Sequence, residues 1–161
     1  MPGRRFTKPD SEAIVHERIV RFLKRDHPRV VFKTDFSAGL KLPIWLAARQ
    51  RKLQYKRGFP DLVVYAAQGT YHGLCIEIKK PGTRLKKLDG HWSSDHIAEQ
   101  HQMLSELERA GYACAFAVGY DQAVDIVEAY FKGTFNDLPW QDYGLQQYKT
   151  PEVVHEQGPV F

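Results

Sequence analysis

The chain has 161 residues, 43% hydrophobic and 12% aromatic, with a formal net charge of +4 and two cysteines. That is enough for one domain with a real core, fits a globular rather than a disordered protein, and leaves no run of about 18 uncharged apolar residues to cross a membrane. The N-terminus, MPGRRFTKPDSE, lacks the apolar stretch of a signal sequence, so a cytoplasmic, non-secreted protein is expected, with Cys75 and Cys114 as buried thiols.

Ser11 is a good N-cap, and residues 12–25 follow with helical periodicity. Val15, Ile19, Phe22 and Leu23 fall on one stripe at about 100° per residue. Glu12 lies beside that stripe and faces inward, whereas Glu17 points to solvent. His27-Pro28 breaks the helix, and Val30 to Phe32 reads as a short strand. Residues 34–57 are the least regular part, with a turn at Ser37-Ala38-Gly39 and a basic helix from Ile44 to Tyr55 that has Pro43 at its N1 position.

Gly58 and Pro60 end that helix. Leu62 to Ala67 and Tyr71 to Lys79 then form a hairpin across Gln68-Gly69, stopped by Pro81-Gly82. Residues 83–95 are a polar excursion, with Asp95 as the expected cap of a helix over 96–110 and Gly111 as its C′ residue. A strand from Tyr112 to Val118 and a helix from Asp121 to Phe131 complete a core of residues 1–131. Residues 132–161 are expected to be an irregular extension of the same domain. The order α-β-(α)-β-β-α-β-α predicts an α/β fold, a small mixed sheet flanked by helices.

Charge in the wrong place is the chemical signal. Asp61 opens one apolar strand and Glu77-Ile78-Lys79 sits inside the next, although buried strands normally exclude charge. Side chains alternate along a strand, so Cys75, Glu77 and Lys79 share one face, with Glu77 and Lys79 about 7 Å apart along it. Asp61, at the start of the paired strand, can bring its carboxylate beside Glu77. Such an oxygen-rich site suits Mg²⁺ or Mn²⁺, with the Ile78 backbone carbonyl as a further ligand and Glu12 as an additional candidate. A metal held there polarises a phosphodiester, and Lys79 is placed to orient the attacking water or to stabilise the charge building on phosphorus.

The positive charge is concentrated around these residues. Lys41, Arg49, Arg51, Lys52, Lys56 and Arg57 fall in residues 41–57, and Lys79, Lys80, Arg84, Lys86 and Lys87 in residues 79–87, with no acid in either run. The rest of the chain holds 12 basic residues against 19 acidic ones. Two basic runs flanking one carboxylate pair read as a nucleic-acid footprint. Trp45, Tyr55 and Phe59 interleave with the first run, and the expected role of Trp45 is to pack its helix against the sheet, with stacking on unpaired bases as the alternative. The spacing of His91, His96 and His101 does not suit zinc, and no phosphate-binding G-x-x-x-x-G-K-[ST] loop is present, so no nucleotide cofactor is expected.

Gly58-Phe59-Pro60-Asp61-Leu62-Val63-Val64, Ile76-Glu77-Ile78-Lys79-Lys80-Pro81-Gly82 and Gln100 ahead of Gly111 together resemble the VRR-NUC branch of the PD-(D/E)XK nucleases. That branch includes stand-alone phage and bacterial proteins and the C-terminal domain of the Fanconi-associated nuclease. The resemblance spans residues 11–131 and implies a restriction-endonuclease-like core of order α-β-β-β-α-β. It carries Asp61, Glu77 and Lys79 over as the catalytic signature, Glu12 as the acid of the first helix, and Gln100 as the amide of the following helix. On the helical wheel Gln100 shares a face with Ile97, Leu104 and Leu107, which independently points it inward. The chain departs from the family in spacing: Gln100 follows Lys79 by 21 residues, and the excess falls in Lys86 to Asp95. By resemblance, the expected activity is metal-dependent endonucleolytic cleavage of branched, flap or four-way-junction DNA, of the kind met in repair, by a homodimer. The alternatives are a non-catalytic nucleic-acid-binding module of the same fold and an RNA-directed nuclease.

Overall fold

Alternating apolar residues and two capped amphipathic helices dictate most of the architecture. A computed structural model describes residues 10–35 and 41–138. In chain order these form α1 (Glu12–Asp26), β1 (Phe32–Thr34), α2 (Ile44–Leu53), β2 (Leu62–Val64), β3 (Leu74–Lys79), α3 (Asp95–Arg109), β4 (Ala113–Val118) and α4 (Tyr120–Lys132), followed by a single 3-10 turn at Phe135–Asp137. The strands make one mixed sheet in the order β1-β2-β3-β4, antiparallel between β1, β2 and β3 and parallel between β3 and β4. No helix among the described residues is long and apolar enough to cross a membrane.

The two faces of the sheet bury different things. Leu62, Val64, Leu74, Ile76, Ile78, Ala113, Ala115 and Ala117 project toward α1 and α4, where they meet Val15, Ile19, Phe22, Leu23, Ile126, Val127 and Tyr130. The opposite face sends Cys75, Cys114 and Phe116 under α3, against Leu85, Ile97 and Leu104. Strand parity therefore assigns Glu77 and Lys79 to the α3 side. The two cysteines are free, buried thiols opposite each other in the β3–β4 register.

Local chemistry sets the ends. The Ser11 side chain accepts from the Ile14 N–H and caps α1 as its sequence suggests. At α3 the cap is Ser94, whose hydroxyl accepts from the Ile97 N–H, and not Asp95, which becomes the first helical residue. An acidic residue there still favours the positive end of the helix. The hairpin ladder is shorter than expected because its flanks are engaged elsewhere: the Tyr65 N–H donates to Val31 and the His72 N–H to Gly111. Pairing with β2 likewise moves β1 forward to Phe32–Thr34, in register with Leu62 to Val64.

Two expectations need correction. α2 ends at Leu53 and has Pro43 as its cap in extended conformation rather than at N1. It buries none of its ten residues, and Trp45, expected against the sheet, is 67% exposed. Ile44, Trp45 and Leu46 are consecutive and so point three different ways, leaving the helix no apolar stripe to dock. Residues 83–95 fold back on themselves as a tight loop pinned by Lys87 N–H to His91, Ser93 N–H to Leu85, and the burial of Leu85. Of the C-terminal extension, Phe135 is buried against the core, while residues 139–161 lie outside the described residues.

Gly58 is the hinge that seats the Phe59-Pro60-Asp61 segment on α3. Its φ is +86°, and a Cβ built there stands 3.0 Å from the Glu99 carbonyl oxygen and 3.2 Å from Gln100 Cα. Both the left-handed backbone and the close approach to another backbone require glycine. Gly58→Ala is therefore expected to destabilise the protein by about 1–3 kcal/mol, read as a lowered urea midpoint at unchanged m-value. A wild-type midpoint would show that the segment does not rest on α3 in this way.

Candidate active site

Among the described residues only four polar or charged side chains are buried: Asp61, Glu77, Lys79 and Gln100. All four were singled out by sequence, and the fold brings them to one end of the sheet. Glu77 is 1% exposed and lies at the centre. Lys79, two residues along the same face of β3, donates from Nζ to Glu77 Oε1 at 2.9 Å. Gln100, reaching down from the second turn of α3, donates from Nε2 to the same oxygen. Asp61, just before β2, accepts from the Ile78 N–H at 2.8 Å through Oδ2.

The Ile78 backbone is oriented by its neighbour. The Lys79 carbonyl accepts from the Gly119 N–H on the β4 side. Successive peptide groups alternate in a strand, so the Ile78 N–H and carbonyl both face the β2 side. β2 lies opposite Leu74 to Ile76 only, so that carbonyl is left facing the edge where Asp61 sits. The Asp61 carboxylate and the Ile78 backbone therefore lie together, next to Glu77 in the chain.

The electrostatics are those of crowded acids in a dry place. Burial, and next the charge of Asp61, push the Glu77 carboxyl up to about 9, with Lys79 opposing. Glu77 Oε2 and Gln100 Oε1 are buried and have no hydrogen-bond partner among the described residues. Both are acceptors. Two unmatched lone-pair groups beside a second carboxylate form a site that a cation would satisfy.

Glu12, in contrast, is half-buried in the first turn of α1 and makes no hydrogen bond or ion pair with this cluster among the described residues. The residue of α1 that does approach is His16, one turn further on. Its Nε2 is 3.7 Å from Asp61 Oδ2 and is buried without a hydrogen-bond partner. Sequence reasoning missed it, although its i, i+4 relation to Glu12 on the same flank was a usable signal. His16 also lines a cleft of about 500 Å³ with Ala13, Glu17, Val20, Arg21, Thr34 and Asp35.

The basic residues divide. Lys41, Arg49, Arg51, Lys52, Arg57, Lys80, Arg84 and Lys87 are exposed. Lys56 is tied to Glu106 of α3 at 2.8 Å, and Lys86 is half-buried, its Nζ 4.3 Å from the centre of the Trp92 ring. Trp92 in turn stacks on His101 at 4.4 Å, so the residues inserted before α3 form an ordered rim.

No protein-family profile matches the chain, and no curated protein matches it. Among solved structures it is similar to a VRR_NUC domain protein, 26% identical, with a TM-score of 0.57 over 78% of this chain and 92% of the other. That likeness gives the mixed sheet its restriction-endonuclease-like identity. It falls on a chain whose Asp61, Glu77-x-Lys79 and Gln100 motifs resemble the same family and meet at one buried point. The chain is thus similar in sequence and fold to a VRR_NUC domain protein and has a nuclease-type fold.

Proposed function

We propose that the protein is a divalent-metal-dependent DNA endonuclease acting on branched, flap or four-way-junction DNA. The observation that carries this reading is the convergence of buried Lys79 and Gln100 on buried Glu77, with buried Asp61 held at the adjoining Ile78 N–H, between two basic runs of the sequence. A structural ion pair needs neither a second carboxylate nor acceptors left unmatched.

The residues fit a hard cation. Asp61, Glu77 and the Ile78 carbonyl would hold it, and the two carboxylate residues are acceptor-only when ionised. Among the described residues no three His, Cys, Asp or Glu side chains form a ready metal cluster. Two carboxylates and a carbonyl suit Mg²⁺ or Mn²⁺, the former keeping several waters, better than a closed zinc site. When bound, such an ion supplies Lewis acidity toward the phosphodiester and makes a neighbouring water more acidic.

The protein groups supply the rest. Lys79 is held at Glu77 Oε1, within the site, where its ammonium can donate to a phosphoryl oxygen as charge builds during attack. Gln100 fixes the same Glu77 oxygen and so orients the other toward the site. Exposed Lys and Arg side chains at residues 41–57 and 80–87 would hold the phosphate backbone on either side. A homodimer presenting two such centres would suit a four-way junction.

Three outcomes are expected. Incubation with plasmid, single-stranded, flap, four-way-junction and RNA substrates in Mg²⁺, Mn²⁺ or EDTA should give metal-dependent cleavage, strongest on branched DNA. Binding without cleavage in either metal would mark a non-catalytic module, and preference for RNA would redirect the substrate assignment. Asp61→Ala and Lys79→Ala should each lower the cleavage rate by at least about 10²-fold while DNA binding stays near wild type. Unchanged turnover would remove these residues from the mechanism.

The third concerns Glu77 without metal. Its folded pKa, about 9, lies above its ordinary value, so the folded state holds a proton that the unfolded chain has released. Stability from this group is present below the unfolded pKa and is lost as pH rises through the folded one. In EDTA the Tm should therefore fall from about pH 5 to 9. Glu77→Gln should flatten that fall, and Mg²⁺ or Mn²⁺ should raise the Tm most at high pH, where the carboxylate is easiest to ionise. A metal effect independent of pH would count against Glu77 as the ligand.

A further inference from the structure

α2 and the residues that follow it expose what most helices hide. Ile44 is 86% exposed, Trp45 67%, Leu53 78% and Tyr55 73%, and Phe59 is 41% exposed. Around them run six cations and no anion between residues 41 and 57. The segment is nevertheless positioned. Lys56 pairs with Glu106 of α3 at 2.8 Å while its Nζ lies 4.9 Å from the centre of the Tyr55 ring, and Gly58 rests on the backbone of Gln100. Three residues after Gly58 the chain delivers Asp61 into the active site.

The occupant of this surface follows from charge and ring chemistry. A second copy of the same segment would bring six cations against six, with no acid to pair them. A polyanion meets the cations directly. Duplex DNA, its bases already stacked inside, gives exposed rings little to contact, whereas unpaired bases offer open π-faces to Trp and Tyr. We propose that Trp45 and Tyr55, extended by Phe59, form a stacking platform for unpaired bases that feeds the edge of a single-stranded segment toward Asp61 and Glu77. The platform rests on the nuclease reading above and narrows its substrate to DNA with unpaired bases next to the scissile bond. The Lys56 contact pre-orients the Tyr55 ring, so less freedom is lost when a base stacks on it.

Fluorescence anisotropy in EDTA, where no cleavage is expected, tests this with a short single strand and a blunt duplex of the same sequence. Trp45→Ala should weaken single-strand binding about tenfold and change duplex binding by less than about twofold, while Trp45→Phe keeps most of the single-strand affinity. A 2-aminopurine in the single strand should be quenched by the wild type and not by Trp45→Ala. Equal loss on both ligands, or none on either, would overturn the platform. So would light scattering that shows a wild-type dimer falling to a monomer in Trp45→Ala, because the helix would then be an interface between copies. Wild type that cuts branched DNA while Trp45→Ala binds and cuts it equally well removes the platform and leaves the nuclease reading standing. Wild type that binds no nucleic acid removes both.

Discussion

Glu77 is almost completely removed from water, beside another carboxylate, and nearly every structural choice around it answers that constraint. A buried carboxylate costs several kcal/mol unless it is paired, hydrogen-bonded or protonated. The protein supplies two donors, Lys79 and Gln100, but directs both to the same oxygen. The other oxygen is left without a partner, and Asp61 adds a like charge instead of relieving it. Stability alone would favour a donor in that position. The arrangement keeps an electron-rich group available, and it can do so only because the rest of the domain holds it there.

The division of the sheet supplies that support. One face is wholly apolar and packs on α1 and α4, with Ala113, Ala115 and Ala117 letting α4 lie close to β4. It carries most of the burial that stabilises the fold. The other face is smaller, and its apolar cover of Leu85, Ile97, Leu104 and Trp92 gives way near Lys79 to the buried polar cluster. Strand alternation alone allows Ile76 and Ile78 to serve the core while Glu77 and Lys79 serve the site. A one-residue slip in the β2–β3 register would reverse these assignments.

What was legible in the sequence follows the same physics. Asp61, Glu77 and Lys79 could be read because charge inside an apolar period-2 run has few structural explanations. Gln100 could be read because a polar residue on an apolar helical stripe is equally conspicuous. His16 carried only the indirect signal of its i, i+4 spacing from Glu12, since its approach to Asp61 depends on how α1 crosses the end of the sheet. For Glu12, half-buried in the first turn of α1, the wheel gives a helix face its direction but not its reach. Trp45 was misplaced because aromatic residues usually bury, and only the lack of a coherent apolar stripe on α2 argued otherwise. The cap of α3 moved by one residue, from Asp95 to Ser94, because both side chains are competent acceptors and the loop before them decides which stands at the helix end.

Asp61 stands where the layers meet, and this ties the chemistry to the whole fold. Its Oδ2 is held by the Ile78 N–H, 17 residues away, and approached by His16 from α1. Glu77, one residue before Ile78, is held by Gln100 from 23 residues away on α3. None of these contacts is local, so the site exists only when α1, the hairpin and α3 have all docked. Local opening of any one of them would disperse the carboxylates, so the integrity of the cluster is tied to that of the whole core. α2 is built on the opposite rule: it buries nothing, and its C-terminal flank is anchored to α3 through Lys56 and Gly58. A buried cluster beside an exposed segment places two opposite demands, fixed geometry and open surface, on different elements.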